Sequence, residues 1–242
     1  MAIGANTTGA FRNRILSALS PDSIEALGLK RVDLPLKKVL YEPDVPIETV
    51  YFPEVGVASV VSLMSNGGTA EVGTFGREGM AGTVLLLGTN SSPFRYFMQL
   101  EGHGYQASAE RFKLAAPRND NVRETVLRYE ALFRLQTMQG MACNALHSVE
   151  QRCCRWILLT RDRVDTDDFK LTHEFLAVML GVRRATVTEV ISPLRELNLL
   201  RSDRGTISIV DRKSLEVRAC ECYAIIRNRE REWFQGNEKE LK

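Results

Sequence analysis

Apolar residues between positions 170 and 210 are spaced for two short helices followed by a β-hairpin. Residues 175–180 are almost all apolar, and in residues 182–197 apolar side chains recur three or four positions apart, which places one apolar face on each helix. Gly181, between the two runs, can adopt the positive φ angle of a sharp inter-helix turn. Residues 206–209 alternate between polar and apolar after an Asp-Arg-Gly turn, as in a hairpin. This order predicts a winged helix-turn-helix.

The second of these helices begins with residue types that commonly contact DNA. Arg183 and Arg184 open it, and Thr186 and Thr188 follow. Arginine can donate two hydrogen bonds to guanine, whereas threonine can bind phosphate or contact the thymine methyl group. The first residues of a recognition helix are the ones that meet base edges. An Arg-Arg pair alone usually marks a solvated surface, but its place between a glycine turn and a hairpin favours DNA binding.

The N-terminal half of the chain has the alternating pattern of short β-strands. After two short helical segments, apolar residues begin to alternate near residue 31. Further strand-like runs lie at residues 49–52, 57–64, 84–87, 94–100 and 105–107. Turn sequences separate several of these runs, among them Pro-Glu-Val-Gly at 53–56. Several short strands with turns between them indicate an antiparallel sandwich or barrel, and we expect a jelly roll.

A single long helix is predicted between residues 121 and 147, where neither proline nor a cluster of turn residues interrupts the sequence. At 1.5 Å per residue it would be roughly 40 Å long. Its apolar residues form two stripes offset around the axis, which indicates two packing partners. One stripe would face the strands and the other a second copy of the helix; the alternative is a long helix wrapped on one core. We favour dimerisation, because a helix of this length would overhang so small a domain.

These elements define an α+β chain of three parts. We assign residues 1–118 to the jelly-roll domain with its short N-terminal helices, 119–148 to the dimerisation helix, and 149–242 to the winged helix-turn-helix domain with a C-terminal helix. A length of 242 residues is sufficient for two ordinary domains.

Composition and charge are those of an ordinary globular protein, with 44% hydrophobic and 26% charged residues. The net charge is only +2, so any DNA-binding charge must be local. The arginines that could supply it are Arg183, Arg184, Arg195, Arg201 and Arg204. No apolar run approaches the roughly 20 residues of a membrane span, and the N-terminus lacks a signal-peptide layout. We expect a cytoplasmic protein without a membrane partner.

Five cysteines, an odd number without an export signal, favour reduced thiols over a disulfide framework. Cys153-Cys154 and Cys220-x-Cys222 could be imagined as four soft ligands for zinc or an iron–sulfur cluster. Adjacent residues on a helix point about 100° apart, however, so a Cys-Cys pair there is a poor chelate. We expect none of the three histidines to have a partner at ligand spacing. We therefore expect half-buried thiols and no metal, and we leave the role of these four cysteines open.

Sequence motifs of catalysis are missing. The chain has no recognisable Ser-His-Asp or Cys-His arrangement, no phosphate-binding loop and no metal-ligand spacing, so we do not expect an enzyme. Two classes of function remain. One is a dimeric DNA-binding regulator, and the other is an effector-binding module whose winged helix contacts protein instead of DNA.

Over nearly its whole length the sequence resembles the Crp/Fnr family of bacterial transcription regulators. The most specific segment is residues 171–187, with its Leu-Thr, Gly-Val and Arg-Ala-Thr-Val motifs. In the N-terminal half, LYEP at 40–43, YFP at 51–53 and GREGMAG at 76–82 are similar to a divergent branch of that family. The resemblance implies a jelly roll like a cyclic-nucleotide-binding domain.

The resemblance also implies a mechanism and partners. An effector or redox signal in the jelly roll would change the packing of the long helices and reorient the recognition helices. A homodimer would then place them in successive major grooves of a near-palindromic site in double-stranded DNA. RNA polymerase is a further partner that the resemblance implies.

Individual DNA contacts follow from the same resemblance. Arg184 matches the family's base-reading arginine, whereas Ala185 replaces its usual acidic residue and Glu189 stands where many relatives have arginine. The operator should therefore differ from that of the cyclic-AMP receptor. Thr172, His173 and Arg183 are better placed for phosphates or groove edges. The residues predicted to contact DNA are Thr172, His173, Arg183, Arg184, Ala185, Thr186, Thr188, Glu189 and Arg204.

The effector site departs from the pattern of cyclic-nucleotide-binding relatives, which use a Gly-Glu pair and an Arg followed by Ser or Thr. Here Thr83 follows Gly82, and Tyr96 follows Arg95. A cyclic phosphate needs a fixed cation and several N–H donors, so we expect neither cyclic AMP nor cyclic GMP, and no other cofactor. Gly79, Gly82, Thr83 and Arg95 are the candidate residues for an unidentified anionic effector. The alternative is that the glycines only form turns between strands.

Overall fold

The structure, a computed structural model, describes residues 11–235. Residues 1–10, on which the expectation about a signal peptide rests, lie outside this range, as do residues 236–242. The chain divides into two compact units. One comprises residues 11–60, Thr74–Arg134 and the stretch from Glu230; the other comprises Val61–Gly73 and Leu135–Arg229. The division therefore falls inside the predicted long helix.

An antiparallel sheet organises the N-terminal half, in agreement with the predicted jelly roll. Its strands are β1 (Lys30–Leu34), β2 (Val39–Tyr41), β3 (Thr49–Leu63), β4 (Thr69–Phe75) and β5 (Arg95–Ser108). They are ordered β1-β5-β3-β4, and β2 also pairs with β5. The helices of this half are α1 (Arg14–Ser17), α2 (Pro21–Leu27) and α3 (Ala109–Arg118). The largest fully buried side chains here include Phe52, Phe75 and Phe112.

Two strands are longer than the sequence pattern indicates. β3 continues through the turn predicted at 53–56, and β5 joins two runs that were expected to be separate. The close approach of these strands depends on glycine in β5. A Cβ at Gly102 would overlap the carbonyl of Val55, and one at Gly104 would overlap the carbonyl of Phe52.

The prediction that the apolar run at residues 84–87 forms a strand is wrong. The chain instead forms a single turn of 3₁₀ helix at Thr83–Leu85. Gly82 and Gly88 on either side have φ angles of 110° and 90°. Because the chain changes direction at both glycines, the intervening residues are too few to extend along the sheet.

The predicted long helix is confirmed as α4, which runs for 27 residues from Asp120 to Leu146. Its length is therefore about 40 Å. One stripe of α4 is buried, and its members are Val122, Val126, Tyr129 and Leu132. Other apolar residues of the helix are exposed, namely Leu127, Met138, Met141 and Leu146. The helix thus has an apolar surface that the described residues do not cover.

The C-terminal part contains the helix-turn-helix and a small sheet. Its elements are α5 (Val149–Arg161), β6 (Asp168–Lys170), α6 (His173–Leu180), α7 (Arg184–Glu196), β7 (Leu200–Asp203), β8 (Thr206–Ile209), α8 (Arg212–Arg218) and α9 (Cys222–Gln235). The sheet has the order β6-β8-β7, and its strands are antiparallel. The expected C-terminal helix is two helices, because the chain becomes extended at Ala219, with φ −71° and ψ 155°.

Candidate DNA-binding interface

A cap, a glycine turn and a shared core hold the two helices of the motif in position. The Thr172 side chain caps α6 by accepting a hydrogen bond of 3.1 Å from the backbone N–H of Phe175. Gly181 ends α6 in the left-handed conformation, with φ 66°. The residues that the two helices bury are Leu176, Ala177, Met179, Leu180, Val187, Ile191 and Leu194. Burial of one face of α7 leaves its opposite face in solvent.

The exposed face of α7 carries most of the residues predicted to contact DNA. Arg183 precedes the helix in an extended conformation, and no side chain of the described residues caps the N–H groups that follow. Arg184, Ala185, Thr188 and Glu189 are exposed, and Thr186 is half-buried. Positive side chains and unbonded N–H groups at a helix N-terminus together favour an anionic partner.

Arg184 is held by a single exposed ion pair. Its Nε lies 2.7 Å from Glu174 Oε1, and the two side chains are 68% and 62% exposed. An ion pair this exposed is weak, on the order of 0–1 kcal/mol. The guanidinium can therefore leave Glu174 for a base edge at little energetic cost.

His173 has a different environment from the arginines. Its Nδ1 lies 3.1 Å from Thr188 Oγ1, and its Nε2 lies 3.4 Å from Ser202 Oγ. The pKa of His173 is lowered, first by burial and then by the positive charge of Arg184. With both ring nitrogens hydrogen-bonded between α6, α7 and β7, this side chain is arranged to position the motif.

The wing is a tight hairpin whose tip is Arg204. β7 and β8 pair up to Asp203 and Thr206, so two residues, Arg204 and Gly205, make the turn. Their φ angles are 45° and 79°, as a type I′ turn requires. The hairpin leaves Arg204 exposed, and the Gly205 carbonyl accepts a 2.7 Å hydrogen bond from the N–H of Leu171, just before α6.

Comparisons with known proteins agree with this geometry. The family model of the Crp-like helix-turn-helix domain matches residues 151–218. The chain is 27% identical over 183 residues to the global nitrogen regulator of a Nostoc species, an alignment that covers 71% of this chain and 81% of that protein. Residues 151–218 thus carry a Crp-like helix-turn-helix domain, and the chain is similar to Crp/Fnr regulators over most of its length. It is a transcription regulator with a DNA-binding helix-turn-helix domain.

Solved Crp/Fnr structures share the fold over most of the chain. One is a regulator from Eubacterium rectale, at a TM-score of 0.65 and 17% identity, which covers 84% of this chain and 96% of that one. Another is FixK2 from Bradyrhizobium japonicum, at a TM-score of 0.66 and 16% identity, with 79% and 98% covered. Within residues 11–235, no helix combines the length and the apolar character needed to span a membrane.

The candidate effector residues lie in a packed region of the N-terminal half. A Cβ at Gly79 would overlap the ring of Tyr129, and one at Gly82 would press against Val50. Both glycines therefore have a packing role. Thr83 begins the short 3₁₀ helix.

The fourth candidate, Arg95, is paired with an acid instead of standing free for an anion. Its Nη2 lies 3.0 Å from Glu42 Oε1. The neighbouring ring of Tyr96 lies 5.0 Å, centre to centre, from that of buried Tyr41. Burial, followed by the nearby Tyr51 and Tyr96, raises the pKa of Tyr41. Aromatic side chains thus pack against Tyr96, the next residue of β5.

The five cysteines are all free and buried, whereas the sequence analysis expected half-buried thiols. Cys153 and Cys154 lie on α5, where burial raises the pKa of both thiols, that of Cys154 to about 12. Cys220 and Cys222 lie instead beside Cys143 and His147.

The expectation that no histidine has a partner at ligand spacing is wrong. His147 follows Cys143 by four residues, one helical turn, and its Nδ1 lies 3.6 Å from Cys222 Sγ. The Cys-x-x-x-His spacing was the signal that could have revealed this neighbour, because residues four apart share a helix face.

Proposed function

We propose that this protein is a homodimeric regulator that reads a near-palindromic site in double-stranded DNA with α7. The observation that carries the proposal is the exposed basic N-terminus of α7, together with the exposed wing residue Arg204. The buried opposite face of α7 fixes which residues meet the groove.

The side chains of this face have different proposed roles. Arg184 leaves Glu174 and donates two hydrogen bonds to a guanine, and Glu189, one turn after Ala185 on the exposed side of α7, accepts from the amino group of a cytosine. Arg183 and Arg204 bind phosphates, and Ala185 offers only a methyl contact. Sequence preference therefore depends mainly on Arg184.

Dimerisation is supported by the exposed apolar face of α4. Leu127, Ala131, Met138, Met141 and Ala145 are exposed, and they are separated by steps of three, four or seven residues along the helix. Alternating steps of three and four are the spacing of a coiled-coil seam, in which two helices cover each other's apolar stripe. Two-fold symmetry would give two copies of α7 and hence two half-sites about one helical turn of DNA apart.

The jelly roll is proposed to sense a signal other than cyclic AMP or cyclic GMP and to transmit it through α4. Support comes from the packing of Tyr129 and Val50 on the two glycines and from the pairing of Arg95 with Glu42. No cofactor and no catalysis are part of the proposal. A regulator that acts at promoters is expected to lie in the cytoplasm and to contact RNA polymerase.

Binding of the full-length protein to selected and to scrambled DNA, over a range of salt concentrations, tests this function. Arg184→Ala should lose about 1–3 kcal/mol on the selected site and little on scrambled DNA. Arg183→Ala should weaken both alike and reduce the salt slope by about one. Equal losses on both DNAs for both variants, or no binding at low salt, would instead favour a winged helix that contacts protein.

A further inference from the structure

Three thiols and one imidazole come together at the C-terminal end of α4. Cys143 lies on the last turns of α4, and His147 directly follows the helix, one turn later on the same face. Cys220 lies in the break between α8 and α9, and Cys222 is the first residue of α9. The extended backbone at Ala219 is what brings two cysteines of a Cys-x-Cys sequence toward one point.

The distances among these four side chains are those of a chelate. Cys143 Sγ lies 3.4 Å from Cys220 Sγ, and Cys222 Sγ lies 3.6 Å from His147 Nδ1. All four ligand atoms lie within 4.8 Å of one another. Zinc bonds of about 2.3 Å to sulfur and about 2.0 Å to nitrogen place tetrahedral neighbours roughly 3.5–3.8 Å apart. One ion of this size fits among the four atoms with small side-chain movements.

The surroundings of the cluster are those of a supported metal site. Cys143, Cys220 and Cys222 are 0%, 3% and 0% exposed, so their sulfur atoms are shielded from water and from large oxidants. Glu221 Oε1 lies 3.1 Å from His147 Nε2. This contact orients the imidazole so that its other ring nitrogen, Nδ1, faces the sulfur atoms. Metal-bound histidines commonly have such a carboxylate partner, because it fixes the tautomer and the ring orientation.

A second polar group supports a thiolate of the cluster. The side-chain Nε2 of Gln139, one turn before Cys143 on α4, donates a 3.1 Å hydrogen bond to Cys222 Sγ. An N–H donor stabilises sulfur in the anionic form that a metal requires. Carbon-lined cores give buried thiols no such donor. The three thiols and the imidazole therefore form, with Gln139 and Glu221, a connected cluster of polar side chains.

We propose that Cys143, His147, Cys220 and Cys222 bind one Zn²⁺ ion in a closed, tetrahedral, structural site. Three sulfur ligands and one nitrogen are a common set for structural zinc, and they leave no position open for chemistry. The three thiols release their protons to solvent as the ion binds. The ion fastens the end of the long helix to the α8–α9 junction.

Zinc titration of the full-length protein tests the site. The protein is stripped with a chelator under reducing, oxygen-free conditions, and zinc is returned in competition with a chromophoric chelator. We expect one ion per chain, and we expect Cys143→Ala and Cys222→Ser to weaken binding at least about 100-fold. Glu221→Gln should weaken it about 10-fold. Cys153→Ala, which removes an equally buried thiol outside the cluster, should leave zinc affinity unchanged.

Cobalt provides a readout that does not depend on stability. Co²⁺ bound to the wild-type protein should show thiolate charge-transfer absorption and the visible bands of tetrahedral cobalt, and these should disappear in Cys222→Ser but not in Cys153→Ala. Zinc should also raise the melting temperature of the wild-type protein by several degrees, since it binds the folded chain.

Three results would overturn the proposal. They are one-to-one zinc uptake that is unchanged in Cys143→Ala and Cys222→Ser, octahedral cobalt spectra, and no zinc uptake by the fully reduced protein. In the last case, a Cys143–Cys220 disulfide formed in air would identify the cluster as a thiol pair that oxidises.

Discussion

The exposed face of α7 and the glycine-rich stretch at residues 76–82 lie at the two places where a Crp/Fnr regulator would contact ligands. On α7, Arg184 is 68% exposed and held by one surface ion pair. In the glycine-rich stretch, Gly79 and Gly82 are covered by Tyr129 and Val50. The first surface is open to DNA, whereas the second has become part of the packing. A glycine-rich stretch therefore does not by itself indicate an open ligand site.

The difference predicts that substitutions in the two places have different consequences. Those at the glycines should change stability, and those on α7 should change DNA affinity at nearly constant stability. Surface substitutions away from caps and cores usually change the free energy of unfolding by less than about 0.5 kcal/mol.

The largest effect is expected at Gly79. Gly79→Val should lower the free energy of unfolding by about 3 kcal/mol, because the new side chain would overlap the Tyr129 ring in a closely packed region. Gly140→Ala is the matched control, since a Cβ there meets nothing within 4 Å on helix α4, and it should be neutral or slightly stabilising. Urea unfolding measures both. Unchanged stability of Gly79→Val would mean that the glycine faces an open site.

The next largest effect concerns the seam of α4. Met138→Glu places a charge on the 59% exposed side chain at the centre of the proposed dimer face, where it would meet its own copy. Loss of the dimer should weaken binding to a two-half-site DNA at least about 100-fold, because the second half-site is no longer tethered. Sedimentation should report monomers.

A glutamate placed on α4 outside the seam is the control for Met138→Glu. Leu146 is 79% exposed on α4 and lies about a quarter turn away from the seam residues. Leu146→Glu should keep both the dimer and the DNA affinity. If the two variants behave alike, α4 does not dimerise through this face.

A smaller effect is expected at Thr172, where two substitutions distinguish a role in helix capping from a contact with DNA. Thr172→Ala removes the side-chain acceptor for the Phe175 N–H and should cost about 1 kcal/mol of stability. Thr172→Ser keeps that acceptor and should behave like the wild type in unfolding and in DNA binding. A loss of DNA affinity in Thr172→Ser at full stability would show that the threonine methyl group contacts DNA.

The smallest effect is a pH dependence at His173. Its pKa in the folded protein lies below the ordinary value of about 6.5, so the unfolded chain takes up the proton first as the pH falls. Stability that is present at neutral pH is therefore lost below about pH 6.5, and His173→Gln should show a shallower loss between pH 7 and pH 5. Thermal unfolding of the two proteins across this range is the measurement; parallel curves would exclude the contribution.

Much of the fold and of the DNA-binding face could be predicted from the sequence, because local periodicity determines them. Arg183 and Arg184 stand at the start of a regular amphipathic helix, before Val187, its first buried residue, so their exposure follows from their place at the helix end. The long helix was likewise evident from its uninterrupted sequence. Residues 168–170 form a strand that is too short to show an alternating pattern.

Contacts between distant residues could not be predicted in this way. Gly79 and Tyr129 are separated by the last strand of the sheet and by α3, and Cys143 and Cys220 are 77 residues apart. No local period relates such pairs, since the fold alone brings them together. The packed glycine stretch and the thiol cluster therefore emerge only from the structure.

Selection of bound sequences from random double-stranded DNA by the full-length protein tests the central claim most directly. We expect an enriched pair of inverted half-sites about one helical turn apart, with Arg184→Ala losing the preference at one base pair in each half-site. Enrichment of a single asymmetric site, or of no sequence at all, would contradict a symmetric dimer that reads DNA through α7.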